Sequence, residues 1–170
     1  MSFDGLNDKW IARLKKLGDV VFSSHGNVET FHKQLDLACE TKDEKVLFCE
    51  DDYLWRPNTI SLLDRALDKF QIVSPYDHPG HYREERFNYP KKMVELDGVV
   101  YREAPSNTLT FACRTNIIKE NLLVIKSFGI RDHELFTELR KRGYEMFVPV
   151  YSFATHLVEG LLAPNVDWKL

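Results

Sequence analysis

The chain has 170 residues, 44% hydrophobic and 29% charged, with a net charge of −3; this is the profile of one globular domain and excludes a disordered chain. So mild an acidity gives no general attraction to nucleic acid or anionic lipid. No apolar run approaches the roughly 20 residues that span a bilayer, and MSFDGLNDKW lacks the basic and apolar regions of a signal peptide.

Trp10, Leu14 and Leu17 fall at helical spacing with Gly18 behind them, which predicts a helix over 8–17. A short strand is expected over 19–22, a turn over 23–27, and a second helix over about 29–40 with Phe31, Leu35 and Ala38 on one face. Val46 to Cys49 is a short apolar run of the kind a strand buried on both faces shows. Pro57 suits the first turn of the next helix, striped by Ile60, Leu63, Leu67 and Phe70. Residues 71–74 read as a strand, and 75–92, rich in proline, aromatics and charge, as a long loop. Asp97-Gly98 signals a hairpin within 93–101. A strand over 106–114 leads to a helix capped by Thr115, then a helix over 132–142 closed by Gly143. Met146, Val148 and Val150 alternate as in a strand, and the remaining tail shows no period. Early alternation of strands and helices followed by a hairpin predicts a single α/β domain with a mixed sheet covered by helices. Cys39, Cys49 and Cys113 are odd in number and widely spaced in apolar contexts, so they read as buried free thiols of a reducing, cytoplasmic compartment.

The chemistry concentrates in KVLFCEDDYLW, residues 45–55, where the apolar run meets Glu50, Asp51 and Asp52. In open α/β sheets ligands bind beyond the carboxyl ends of the strands. Three adjacent carboxylates repel one another unless a positive group sits among them, and Mg²⁺ or Mn²⁺ held with substrate phosphates is the usual neutraliser. A solvated acidic loop is the competing reading. Asp132 opens a helix, as an N-cap or as a general base within reach of a bound hydroxyl. His156 follows a strand-like run, as a packed side chain or as a neutral imidazole ligand. Asp77, His78 and His81 sit on the loop after a central strand, which reads as a substrate rim or a proline-stiffened surface loop. Their spacing fits no metal-ligand pattern. The sequence has no G-x-S-x-G elbow, P-loop or dinucleotide fingerprint.

Together these segments resemble the GT-A glycosyltransferases, most closely the inverting family 2, over about residues 3–168. The acidic strand end matches the family's Asp-x-Asp motif, with Glu in the first position. The resemblance implies that Asp52 coordinates the metal, that Glu50 and Asp51 lie near the donor ribose and sugar, and that Asp132 is the catalytic base. It implies that His156 completes the metal site, that Asp4 contacts the donor's base, and that 106–111 is the strand before the acceptor helix. Arg131 stands where family members carry a Glu before that Asp, and only the short segment Met1 to Gly5 leads towards the first helix, so the fold expected is a GT-A-like mixed sheet flanked by helices that lacks its first strand and helix. The function implied is metal-dependent, inverting hexosyl transfer from a UDP- or dTDP-sugar to a glycan, lipid-linked or other hydroxyl acceptor, with Mn²⁺ or Mg²⁺ as cofactor. The alternatives are a non-catalytic binding or scaffold module derived from that fold, and a retaining transferase or nucleotidyltransferase on a related one.

Overall fold

A computed structural model describes residues 2–3, 8–16, 18, 21–22, 26–88 and 91–168. Asp4, Leu17 and residues 23–25, with the readings placed on them, lie outside the described residues, as does the side chain of Trp10.

The chain forms β1 (Ser2–Phe3), α1 (Asp8–Leu14), β2 (Val21–Phe22), α2 (Asn27–Glu40), β3 (Lys45–Phe48), β4 (Tyr53–Trp55), α3 (Thr59–Ala66), β5 (Ile72–Val73) and α4 (Gly80–Arg83). It continues through a 3₁₀ turn at Glu85–Phe87, β6 (Met93–Leu96), β7 (Val99–Ala104), β8 (Phe111–Arg114), α5 (Thr115–Phe128), α6 (Asp132–Lys141), β9 (Met146–Pro149) and β10 (Ala154–His156). Six strands make one mixed sheet in the order β3-β8-β5-β9-β7-β6. The β5–β9 pair is parallel, and β8 runs antiparallel to both β3 and β5. Two small sheets accompany it, β1 with β2 and β4 with β10.

Both sheet faces are buried, because neighbouring strand residues point to opposite sides. Ile72, Phe111, Cys113, Met146 and Val148 pack with Phe31 and Leu35 of α2, Ile118 and Ile125 of α5, and Leu135 and Leu139 of α6. Val73, Ala112, Phe147 and Tyr101 pack on the other side with Leu63 and Ala66 of α3, and with Leu67 and Phe70 just beyond it. The protein is therefore α/β, with a mixed sheet flanked by helices. At about 25 cal/mol per Å² of apolar surface, these two cores dominate the folding free energy. Asp97 (φ 51°) and Gly98 (φ 75°) both take positive φ, as the tight β6–β7 hairpin turn requires.

Several expectations are corrected. The strand before the acidic triplet is not buried on both faces: β3 ends the sheet order and Leu47 is 38% exposed. Ile60 leaves the buried stripe of α3 and is 61% exposed. The strand expected from 106 begins only at Phe111, because Ser106, Asn107 and Thr108 spend their polar groups on side-chain bonds and not on a ladder. Thr115 is the first residue of α5 and not its cap; its hydroxyl donates to the Asp43 carbonyl (2.7 Å). Residues 146–149 are buried throughout, since the strand lies inside the sheet. Cys49 is exposed, whereas Cys113 is fully buried. Among the described residues no helix is long and apolar enough to cross a membrane.

Candidate functional site

The carboxyl ends of β3 and β5 open on the same side of the sheet, and β8 enters between them. Beyond β3 the chain bends through Glu50–Asp52 and at once re-forms the short strand β4. That strand pairs with β10 near the chain's end, in the register Tyr53↔His156. The ladder continues past the bend, where the Leu157 N–H donates to the Asp52 carbonyl (2.8 Å). Two segments about a hundred positions apart are thus stitched across the acidic turn.

The result is a direct pair. His156 Nε2 lies 2.7 Å from Asp52 Oδ2 across 104 positions of sequence. Asp52 remains open to solvent, its side chain 47% exposed, while His156 is 16% exposed. Aromatic rings hold the imidazole. Tyr53 stacks on it with centroids 4.8 Å apart and planes within 4°, and Tyr76 meets it edge-on at 6.3 Å. The Tyr53 hydroxyl donates to Thr108 Oγ1 (2.8 Å), and Tyr76 donates to the Leu161 carbonyl (2.5 Å). Burial raises both phenols above their usual range, so they stay neutral.

Glu50 turns its carboxyl inward although the residue is exposed overall. Its N–H donates to Thr110 Oγ1 (3.1 Å), and that hydroxyl donates to Glu50 Oε2 (3.2 Å). Desolvation raises the Glu50 carboxyl above the ordinary carboxylate range; the Thr110 bond opposes this, Asp52 adds to it, His156 opposes and Asp132 adds. Asp132 therefore faces the same electrostatic neighbourhood as the acidic turn. It is the first residue of α6, and its Oδ1 accepts the His133 N–H (2.5 Å). Arg131 occupies the N-cap position and supplies no side-chain cap. Asp51 is exposed on the bend.

The structure brings Asp52 and His156 into contact, and Glu50 and Asp132 into one electrostatic field with them. Two residues that the sequence did not mark, Thr110 and Tyr53, complete the arrangement beside Tyr76 of the loop read as a substrate rim. Their only signal was position, since Thr110 is fully buried just ahead of a core strand and Tyr53 directly follows the acidic triplet.

The donor set can be tested against a divalent ion. Among the described residues, no group of three or more His, Cys, Asp or Glu side chains is placed to hold a metal, so a closed all-protein cage does not fit. One carboxylate beside one imidazole does fit an open site, because Mg²⁺-type ions keep waters and take substrate phosphate oxygens alongside one or two protein donors. Loading such a site has a proton cost. A ligand nitrogen must be unprotonated, so the hydrogen between Nε2 and Asp52 would move to Nδ1, which is buried without a hydrogen-bond partner.

Comparison of the sequence with family models and with curated proteins finds no match to either.

Proposed function

We propose that the chain is a metal-dependent, inverting glycosyltransferase domain of the GT-A type, moving a hexose from a UDP- or dTDP-sugar to a hydroxyl acceptor. The observation that carries this reading is the contact between Asp52 and His156 at the end of an acidic strand, with Asp132 in the same field. In this reading Asp52 and His156 hold Mn²⁺ or Mg²⁺. The bound ion supplies Lewis-acid stabilisation to the departing nucleoside diphosphate. Glu50 and Asp51 face the donor's ribose and sugar, and Asp4 its base. Asp132 takes the proton from the acceptor hydroxyl as that oxygen attacks the anomeric carbon. One base and one displacement invert the configuration, with no covalent carboxylate intermediate.

A second reading is favoured by the same pair. Asp52 and His156 already satisfy each other, as they would in a binding module that has no catalytic ion. Thermal unfolding with Mn²⁺, with UDP and with both separates the two. The transferase reading expects a rise in Tm that requires both and disappears with EDTA; at a hundredfold excess over Kd the stabilisation is about 2.7 kcal/mol. No rise with both together would overturn it in favour of the binding module.

A further inference from the structure

Six rings follow one another in contact between the acidic turn and the start of α6. His156 meets Tyr76 (centroids 6.3 Å apart), Tyr76 meets His78 (5.5 Å), and His78 meets His81 (5.9 Å). His81 then meets Phe87 (5.0 Å), which meets His133 (6.1 Å). The belt begins at the partner of Asp52 and ends at the residue next to Asp132. His78, the third ring, is half-buried, whereas Tyr76, His81 and Phe87 are buried, so the ring chain comes within reach of a ligand at His78 between its two ends.

The imidazoles of the belt are not equivalent. His81 has no capacity left, because its Nε2–H donates to the Ser106 carbonyl (2.9 Å) and its Nδ1 accepts from Arg102 Nη2 (2.9 Å). His133 Nδ1 meets the Ser106 hydroxyl (2.8 Å), which can donate or accept and so leaves the tautomer open. His78 differs from both. The Gly80 N–H donates to His78 Nδ1 (2.9 Å), so the proton of the neutral ring must sit on Nε2. That Nε2–H has no partner among the described residues, and the side chain is only half-buried. The ring stays neutral: burial, then the neighbouring His81, push it down to about 4. Gly80 is built for this contact. A Cβ there would stand 2.7 Å from His78 Nδ1 and 2.4 Å from Glu84 Oε1, displacing the ring.

We infer that His78 binds the acceptor, donating its Nε2–H to a hydroxyl oxygen of a neutral, polyhydroxylated molecule that spans from the Asp52–His156 pair towards Asp132. A neutral N–H donates without a charge of its own, so it can serve a hydroxyl or ether oxygen and brings no cation to offset an anion. The carboxylates of Glu50, Asp51, Asp52 and Asp132 add repulsion against an anionic acceptor. The inference rests on the transferase reading for the word acceptor, but the subsite itself is testable without it.

The test titrates the full chain with methyl β-glucoside, methyl β-galactoside and methyl β-glucuronide, each with and without Mn²⁺ and UDP. Long-range ¹H–¹⁵N spectra report the two His78 nitrogens. His78→Phe keeps a ring and loses the N–H, whereas His78→Gln keeps an N–H donor. A neutral glycoside should shift the Nε2 signal and leave Nδ1 bonded. His78→Phe should weaken glycoside binding about tenfold, the worth of one hydrogen bond. His78→Gln should stay within about threefold of the parent, and all three proteins should bind Mn²⁺–UDP alike. Equal glycoside binding by the parent and His78→Phe, tighter binding of the glucuronide, or no glycoside response under any condition would overturn the inference. Loss of Mn²⁺–UDP binding alone, with the His78 response intact, would count against the transferase reading and leave the subsite standing.

Discussion

Two Asp–His clusters lie on the loops that leave the sheet, and they are resolved in opposite ways. Asp77 is fully buried and receives an ion-pair bond from Arg102 and a hydroxyl bond from Tyr82 (2.5 Å). Its backbone N–H is held by Ser152 Oγ (2.9 Å), and Arg102 also lies over the Tyr82 ring (5.3 Å). Asp52, by contrast, has His156 as its one side-chain partner among the described residues and stands half in water. The first cluster neutralises a buried carboxylate with a permanent cation, which fastens the 75–83 segment to β7. The second leaves a carboxylate with spare lone pairs at the surface. The same residue types thus act as an internal clamp in one place and as a waiting ligand in the other, and it is the presence of Arg102 that divides them.

The contrast can be broken most severely at the clamp. Arg102→Met strands the Asp77 carboxylate without its cation, and removing one member of a buried pair costs about 3–5 kcal/mol. Urea unfolding should show that loss, and an Arg102→Met protein as stable as the parent would show that the clamp is ornamental. At the open site the largest effect falls on rate. Asp132→Asn still suits a helix start but cannot take a proton at neutral pH. With a donor and acceptor that the parent uses, turnover should fall about a hundredfold or more while the unfolding midpoint barely moves; parental turnover would return Asp132 to a purely structural part.

His78 sharpens the comparison through pH. Its folded value is depressed to about 4, below the 6.5 of a free imidazole. The unfolded chain therefore binds the proton first as pH falls, and the folded state loses stability between about 6.5 and about 4. His78→Phe should flatten that part of the stability–pH curve, by an amount that solvent screening of a half-buried ring keeps modest. Identical slopes in both proteins would mean that the ring is not desolvated. The smallest stability effect is expected from Asp52→Asn. An exposed pair of this kind contributes about 0–1 kcal/mol, so the ligand-free Tm should hardly change, while any rise with Mn²⁺ and UDP should vanish. If that rise survives in Asp52→Asn, the ion sits elsewhere.

Much of the frame was legible in the sequence because it rests on local signals. Phe31, Leu35 and Ala38 mark the buried face of α2, and Asp97-Gly98 the hairpin. Leu135, Phe136 and Leu139 turn inward on α6, as their spacing predicts. The clamp was illegible for a physical reason: Arg102 falls just past the hairpin read over 93–101, with no local signal of its own, and only tertiary pairing shows that it meets Asp77. The β4–β10 ladder was equally hidden, since three-residue strands are too short to carry a period. The neighbourhood of Asp52 and His156 followed from resemblance and not from pattern. Burial of β3 was misjudged because an apolar run does not reveal whether its strand is central or at an edge.

The β4–β10 ladder also gives the site a place in time. Its strands lie about a hundred positions apart, so closing it confines a long stretch of chain, whereas the β6–β7 hairpin closes over two residues. On the ribosome, which releases domains from the N-terminus onward, the sheet strands up to β8 and helix α5 emerge well before Ala154 does. His156 reaches Asp52 only when synthesis of these 170 residues is almost over. A nascent chain halted before β10 can carry most of its core and still has no assembled acidic pair, so partly made copies cannot compete for whatever that pair binds.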